Sequence, residues 1–422
     1  MIETDADGLD LTRFLRRGDR VVLGHACGEP GALVEALIAQ GSAIGDLAAF
    51  IATSFSGRFI PETTASFALS SMGAIGALRS MAEAHQLDIV PCHASQIGPM
   101  IADGTIACDV AMVQVSPADD DGNFSFGLIA DHVEEMVDRA RTVIAEVNEL
   151  VPFTPGATLP ASRIDVAVHV SQRPVEVPPD RVTDTDRAIA ANCARFIGDG
   201  SVIQTGVGAL PDAILRLLVD RKDLGVHSGM LGNGFAELVE AGVITNSRKE
   251  IDPGVSITGA LIGTSRLYDW AHRNPAIRMC PSNYTHSGGV LARLSRLVTI
   301  NSAIEVDLTG QVNAEESGSA YLGGTGGQVD FIRAGSRSTG GHSIIALPAT
   351  ARDGTISRIV TALGGPVTTA RSDVDLIVTE FGTAELKGQT LAERARRLVA
   401  IAHPQFREQL DRTAFEIDRR RF

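Results

Sequence analysis

The sequence predicts an α/β protein of two similar domains, each an open and mostly parallel sheet covered by helices. Its β-rich segments, such as residues 164–170 and 343–349, are almost continuously apolar, as strands buried on both faces are. Residues 18–37 and 198–218 each contain an apolar strand, a glycine-containing loop, a proline and a helical apolar pattern, in that order. The 422 residues exceed the usual size of one core, so a duplicated α/β unit is expected.

The boundary between the two halves is predicted within residues 171–186. Three prolines and several acids interrupt the apolar pattern there, and such a segment favours extended, semi-rigid chain. We therefore predict one domain at residues 1–184 and a second at residues 185–422, with a helix opening the second.

Composition and charge restrict the class of protein. With 44% hydrophobic and 21% charged residues, the chain has the composition of a well-packed globular protein. Its net charge of −14 opposes binding to nucleic acid or anionic lipid. The N-terminal residues carry acids where a signal peptide carries bases, and no apolar run is long enough to span a bilayer. We expect a cytoplasmic protein with neither a membrane nor a nucleic-acid partner.

No metal site is predicted. The five cysteines are scattered and lack CxxC spacing, which argues for buried thiols rather than disulfides or a zinc site. The acidic run at residues 119–122 predicts a turn, because no glutamate follows at the spacing of a calcium loop.

Two glycine-rich loops are the candidate binding elements. The first lies between a predicted strand and a predicted helix, where backbone N–H groups can meet an anion or an oxyanion; it comprises Gln204, Thr205, Gly206, Val207 and Gly208. The second contains Gly323, Gly324, Gly326 and Gly327. A phosphate or thioester ligand lying against bare backbone would require these glycines, and tight turns between strands are the alternative. A polyanion would also need a basic patch, and the candidates are Arg333, Arg337, Arg352 and Arg358. The alternative is that each of these arginines is a solvated surface charge.

Seven motifs follow one another along nearly the whole chain. They are GEP at 28–30, DVAMVQVSPADDDGNFSFG at 109–127, QTGVGALPDAIL at 204–215, LVEAGVITN at 238–246, INSAIEVDLTGQV at 300–312, VTEFGTAELKG at 378–388 and IAHPQFR at 401–407. In this order they resemble the acetyl-CoA hydrolase/transferase family, the single-chain branch of the class I CoA-transferases.

The resemblance implies a class I CoA-transferase fold, an acyl-CoA substrate, no cofactor beyond CoA itself, and a homo-oligomer, commonly a dimer. It implies that the loop at 204–208 donates to the thioester carbonyl oxygen and that the loop at 323–327 forms a second wall of the site. His342 stands where many relatives have a lysine, so one phosphate contact would depend on its protonation.

The resemblance also implies that the family's catalytic glutamate, in a segment reading H-[ST]-E-M, is replaced by Gly229. In the family that glutamate forms an acyl anhydride and then a glutamyl-CoA thioester, which a second acid captures. Glycine has no side chain for either intermediate. We therefore expect hydrolysis of a CoA thioester or CoA-linked substrate, with water in the vacated space.

His227 is the candidate general base, because alternate residues of a strand share a face and would place His227 beside residue 229. A buried structural role for His227 is the alternative. Two alternative functions stay open. The first is CoA transfer to a carboxylic acid such as acetate, and the second is non-catalytic binding of an acyl-CoA.

Overall fold

The computed structural model describes residues 1–420. The strands of this part are β1 (Ile2–Asp5), β2 (Arg20–Leu23), β3 (Leu47–Phe50), β4 (Phe67–Ser71), β5 (Asp88–Ile89), β6 (Val110–Val115), β7 (Asn123–Ser125), β8 (Thr142–Asn148), β9 (Thr158–Pro160), β10 (Val166–Val170), β11 (Val202–Thr205), β12 (Gly225–Val226), β13 (Met230–Leu231), β14 (Ser256–Thr258), β15 (Ala260–Leu261), β16 (Ile277–Met279), β17 (Leu297–Ser302), β18 (Glu305–Asp307), β19 (Val312–Asn313), β20 (Glu316–Ser317), β21 (Ala320–Tyr321), β22 (His342–Ala346), β23 (Thr350–Ala351), β24 (Ile356–Ser357), β25 (Ile359–Val360), β26 (Leu376–Thr379) and β27 (Gly382–Glu385).

The α-helices of the same part are α1 (Gly31–Ile44), α2 (Arg79–Glu83), α3 (Ala94–Asp103), α4 (Val133–Arg139), α5 (Asp184–Ala194), α6 (Ala209–Arg216), α7 (Asn233–Glu240), α8 (Ser265–Ala271), α9 (Ser282–Thr285), α10 (Gly288–Leu291), α11 (Gln328–Arg337), α12 (Leu391–Ile401) and α13 (Pro404–Arg420). Short 3-10 helices occupy Leu11–Arg13, Thr64–Ser66 and Ala161–Arg163. None of the helices in residues 1–420 combines the length and apolar character needed to cross a bilayer.

The first compact unit consists of residues 1–178, 229–233 and 255–287. Its main sheet has the order β1-β10-β8-β6-β2-β3-β4-β5, and each neighbouring pair is parallel. Strand β6 is buried along its whole length, which explains why its sequence VAMVQV lacks the alternation of a half-exposed strand.

The second unit consists of residues 179–228, 234–254 and the chain from 288 onward. Its main sheet has the order β12-β11-β17-β22-β26-β27 and is parallel except for the β26–β27 pair. The predicted α/β class with mostly parallel sheets is confirmed in both units.

The units are not continuous in sequence, in contrast to the predicted division at 184/185. The first break, after Pro178, lies in the predicted linker, and α5 begins at Asp184 because Thr183 and Asp186 form a capping box. Residues 229–233 and 255–287 nevertheless belong to the first unit. Strands of two or three residues, such as β13 and β14, are too short to show a periodic apolar pattern. The sequence therefore did not predict that these segments belong to the first unit.

The two predicted repeats form corresponding corners in their own units. In the first unit β2 leads through residues 24–30 into α1, and in the second β11 leads through residues 206–208 into α6. Each corner lies at the carboxyl ends of parallel strands, where open α/β sheets bind their ligands.

Candidate functional site

The loop after β11 is bare backbone. A methyl group placed on Gly206 would meet no atom within 4 Å, and one on Gly208 would meet only Asp180 Oδ2, at 3.6 Å. Gly208 has φ +120°, a conformation that L side chains rarely adopt, and it caps α6 without any side-chain hydrogen bond. No side chain of the loop caps the N-terminus of α6, so the backbone N–H groups there are available to another hydrogen-bond acceptor.

The side chains that precede this loop are fixed. Gln204 is buried, and its Oε1 accepts a hydrogen bond from Asn301 Nδ2 at 3.2 Å. The Thr205 hydroxyl donates to the Gly206 carbonyl oxygen at 2.9 Å, while Ser228 Oγ donates to the Thr205 carbonyl oxygen at 3.2 Å. The loop is thus held from both sides while Val207 and its glycine neighbours stay half-buried.

Charge around the loop favours a carbonyl oxygen over a phosphate. Asp180 lies beside Gly208, and Asp212 lies in the first turn of α6. Burial raises the pKa of Asp212; Arg216 opposes this shift, whereas Glu237 and Asp180 add to it. The raised pKa favours the neutral form of Asp212, and Asp180 disfavours a multiply charged phosphate group more than an uncharged carbonyl oxygen.

The second predicted loop, Gly323 to Gly327, lies at the same edge of the same sheet. It leads into α11, and Gly335, near the end of α11, packs against Thr299 of β17 and the carbonyl oxygen of His342. This helix thus runs back along the sheet, from the carboxyl ends of the strands to their amino ends.

Gly323 and Gly326 require glycine for different structural reasons. A Cβ on Gly323 would lie 2.2 Å from the Ala314 carbonyl oxygen, so close packing excludes a side chain there. Gly326 has φ +51° and open space around it. Gly324 lies between these two glycines, and Gly327 follows them and directly precedes α11. The structure therefore brings the loops at 204–208 and 323–327 to one edge of the second unit's sheet.

His342 lies elsewhere in that sheet. It is the first residue of β22 and is paired with Val298, near the amino ends of the strands. Its Nδ1 is 3.5 Å from Asp375 Oδ2, and its ring packs edge-on against Phe196. The predicted phosphate contact came from motif spacing, whereas strand direction separates His342 from the loops at the carboxyl edge.

His227 and Gly229 are not alternate residues of one strand, so that part of the prediction is wrong. Strand β12 ends at Val226 and pairs with β11, whereas β13 begins at Met230 and pairs with β15 in another sheet. His227 is fully buried and its backbone N–H donates to the Ile203 carbonyl oxygen at 3.2 Å. Gly229 lies in a bend between the two strands. A catalytic role for His227 stays a prediction.

The sequence analysis missed a group of ionisable side chains in the first unit. His25 Nε2 lies 3.3 Å from Asp131 Oδ2, and the rings of His25 and His132 are stacked with centroids 4.9 Å apart and planes 7° apart. His286 is close enough to act electrostatically on Asp131. We call these four residues the imidazole–carboxylate cluster. The available signal was the position of His25 within the corner after β2, but its partners are remote in sequence.

Other predicted features behave as ordinary structure. All five cysteines are buried free thiols in the described chain, as predicted, and burial raises the pKa of Cys27 to about 11. The predicted acidic turn is confirmed, since Asp119 Oδ1 accepts from the backbone N–H groups of Asp121 and Asn123. Among residues 1–420 no set of three or more acidic, histidine or cysteine side chains is arranged to hold a metal ion.

The four arginines proposed as a basic patch are dispersed. Arg333 pairs with Asp373 at 2.9 Å, and Arg358 donates to the Ala303 carbonyl oxygen. Arg337 ends α11, away from the glycine loop that begins it, and Arg352 lies in the turn after β23.

Fold and site together define an α/β protein with two parallel-sheet units and a glycine-lined backbone site at the carboxyl edge of the second sheet. The chain belongs to the acetyl-CoA hydrolase/transferase family. The family's N-terminal domain matches residues 8–179, and its C-terminal domain matches residues 263–414. It is accordingly an enzyme of the acyl-CoA hydrolase or CoA-transferase kind.

Individual relatives agree with this assignment over almost the whole chain. A 4-hydroxybutyrate coenzyme A transferase of Clostridium kluyveri is 41% identical over 396 residues, covering 93% of this chain and 92% of that protein. RipA from Yersinia pestis has a crystal structure with 33% identity and a TM-score of 0.93, covering 99% of this chain and 98% of that one. The structure of 4-hydroxybutyrate CoA-transferase from Porphyromonas gingivalis shows 34% identity and a TM-score of 0.83, covering 100% and 98%.

A more distant relative has a different name. A protein of Yarrowia lipolytica named acetyl-CoA hydrolase is 25% identical over 346 residues, covering 72% of this chain and 64% of that protein. Relatives of this chain are thus named for either of two reactions, CoA transfer or acetyl-CoA hydrolysis.

Proposed function

We propose that this protein hydrolyses a CoA thioester and needs no cofactor beyond the CoA of its substrate. The observation that carries the proposal is Gly229, which stands where the resemblance places the family's glutamate. A ping-pong transfer needs a carboxylate that becomes first an anhydride and then a thioester. A glycine at that position supplies neither, and water is the remaining acceptor.

The loop at residues 206–208 of the second unit supports thioester chemistry. The Ser228 hydroxyl donates to the Thr205 carbonyl oxygen directly before this loop and so fixes its start. Backbone N–H groups at residues 206–208 would polarise the thioester carbonyl and stabilise the oxyanion that forms on attack. That contribution is the same whether the attacking atom belongs to a carboxylate or to water.

CoA transfer is the second candidate. It is favoured by the relative with 41% identity, which is named a transferase. A transferase without a carboxylate at position 229 must use another nucleophile, and such a nucleophile would retain CoA as a covalent adduct.

One experiment separates the two reactions. The purified protein is incubated with acetyl-, butyryl-, 4-hydroxybutyryl- and succinyl-CoA, with and without acetate, and both free thiol and new acyl-CoA species are quantified. Hydrolysis predicts thiol release that does not require acetate, with no protein-bound CoA after borohydride or hydroxylamine trapping. Acetyl-CoA formation that depends on acetate, together with a trapped acidic residue, would replace hydrolysis by transfer. Binding without either product would favour the non-catalytic alternative.

A further inference from the structure

The imidazole–carboxylate cluster contains polar atoms that are buried without protein partners. Among the described residues, both ring nitrogens of His25, Asp131 Oδ1 and His132 Nε2 make no hydrogen bond, although His25 is only 5% exposed and His132 only 1%. Leaving a buried donor or acceptor unsatisfied costs about 1–3 kcal/mol for each group. Four such atoms in one cluster indicate that water or a ligand supplies the missing hydrogen bonds.

The cluster lies against the backbone at Gly229. The N–H of Gly259 donates to the Gly229 carbonyl oxygen at 3.1 Å, and the Ala130 N–H donates to the Gly259 carbonyl oxygen at 2.8 Å. A Cβ on Gly259 would lie 2.0 Å from Asp131 Oδ1 and 3.2 Å from the Gly229 carbonyl oxygen. A glycine at 259 therefore lets the unpartnered oxygen of Asp131 approach the segment that contains Gly229.

Charges in the cluster favour an ionised Asp131 carboxylate beside a neutral His132. Burial alone would raise the pKa of Asp131, but His25, His286 and His132 together lower it. Burial, and then the neighbouring His25, lower the pKa of His132 to about 3, so that ring is uncharged at neutral pH. His132 therefore contributes a flat stacking surface to His25 without adding a second positive charge.

The pair of Asp131 and His25 has the arrangement of a carboxylate that orients a base. In the structure His25 Nε2 is 3.3 Å from Asp131 Oδ2 but is not aligned as a hydrogen bond. When Nε2 carries the hydrogen and turns it to this carboxylate, Nδ1 carries the lone pair and can accept a proton from water. The carboxylate then stabilises the imidazolium that forms, as in other carboxylate–histidine pairs.

We propose that His25 and Asp131 form a general-base dyad that holds and activates the hydrolytic water next to Gly229, with His132 fixing the His25 ring by stacking. This inference rests on the proposed hydrolysis and adds the residues that perform it. His25 removes a proton as the water oxygen bonds to the thioester carbon. The tetrahedral intermediate then breaks its C–S bond, and the imidazolium returns the proton to the departing CoA sulfur, giving a carboxylic acid and the free thiol of CoA.

The test uses the full chain with His25→Ala, Asp131→Asn and a matched control, His169→Ala. His169 is an exposed imidazole on β10 in the main sheet of the first unit, and its neighbours across that sheet are Asp5 and Val147. Hydrolysis and transfer to acetate are measured in parallel, in water enriched with ¹⁸O, and thermal unfolding of each variant is recorded. General-base catalysis is worth about 10²- to 10⁴-fold, so His25→Ala should lose hydrolysis by that factor while His169→Ala keeps it.

Chemical rescue distinguishes catalysis from a structural role. Added imidazole should restore part of the ¹⁸O incorporation by folded His25→Ala, and it should not act on Asp131→Asn, which keeps its own imidazole. If the parent protein hydrolyses thioesters and both folded variants do so equally well, the dyad is refuted while the hydrolase function stands. If the parent transfers CoA to acetate and incorporates no ¹⁸O, the proposed function itself fails. If His25→Ala does not fold, Asp131→Asn decides, since retained hydrolysis there overturns the proposal.

Discussion

The corner after β2 and the corner after β11 share a strand–loop–helix order but differ in what occupies them. In the first, the helix N-terminus is covered by the protein itself, because Glu146 Oε2 accepts from the Ala32 N–H of α1 at 2.7 Å. Glu29 is buried in the same corner and accepts from the hydroxyls of Ser54 and Ser56.

In the second corner the equivalent position at the start of α6 has no side-chain cap; Gly206 faces open space, and a Cβ on Gly208 would meet only Asp180. The difference indicates that the same local fold serves two purposes. The first corner uses an internal carboxylate to stabilise the unit, whereas the second leaves the N-terminus of α6 without a side-chain cap, as the proposed oxyanion site requires.

Filling the open corner should have the largest effect. Gly206→Val places a side chain in the space where the thioester carbonyl would lie, so we expect kcat/KM for thioester turnover to fall by about 100-fold or more. Stability should change little, since no atom lies within 4 Å of the added Cβ. Gly198→Val is the matched control, because its Cβ also meets open space but it lies before β11, at the other end of the strand. Equal activity of the two variants would contradict an active role for the open corner.

Emptying the closed corner should affect stability instead. Glu146→Ala removes the acceptor of the Ala32 N–H and one of the two acceptors of the Gln114 amide, so we expect a loss of about 2–3 kcal/mol in the free energy of unfolding. Urea denaturation measures it, with the exposed Glu149→Ala as control, for which a change within about 0.5 kcal/mol is expected. An unchanged midpoint for Glu146→Ala would mean that the carboxylate does not cap α1.

The closed corner should also make stability depend on pH through His132, which stacks on His25. Burial and His25 lower the pKa of His132 from its ordinary 6.5 to about 3, against an opposing effect of Asp131. The unfolded chain therefore binds the proton more readily, and stability should fall as pH decreases from about 6.5. One proton corresponds to at most about 1.4 kcal/mol per pH unit.

His132→Phe keeps an aromatic ring but cannot be protonated. The difference in unfolding free energy between this variant and the parent should therefore change progressively from pH 7 to pH 4.5, in favour of the variant. Urea unfolding at several pH values measures this difference. Parallel stability curves for the two proteins would show that His132 does not titrate within this range.

The smallest effect is expected for one hydroxyl of the closed corner. Ser54→Ala removes a hydrogen bond of 2.6 Å to Glu29 Oε2 while Ser56 still donates to the other oxygen, so a loss of about 1 kcal/mol is expected. Thermal unfolding against the exposed Ser162→Ala measures it. A larger loss than that of Glu146→Ala would reverse the assigned order of importance within this corner.

The comparison also shows where sequence reasoning succeeds. Continuous apolar strands, the two repeated corners and the linker before α5 depend on residues close together in the chain, and pattern and capping chemistry were enough to predict them. The pairing of His25 with Asp131 joins residues more than a hundred positions apart, so no local pattern indicates it. His342 is the opposite case: the resemblance implies a phosphate contact for it, whereas the direction of β22 puts it at the amino edge, and the contact stays a prediction.

The way the chain returns to its first unit has a consequence for how the protein must be synthesised. Strand β15 joins residues 128–130, through hydrogen bonds such as Leu261 N–H to the Leu128 carbonyl oxygen at 2.9 Å. On the ribosome these partners emerge long after residues 128–130, and part of the second unit is translated before them. The first unit therefore cannot complete its fold until residue 287 has left the exit tunnel, and a polypeptide released at Pro178 would expose backbone that needs those later strands.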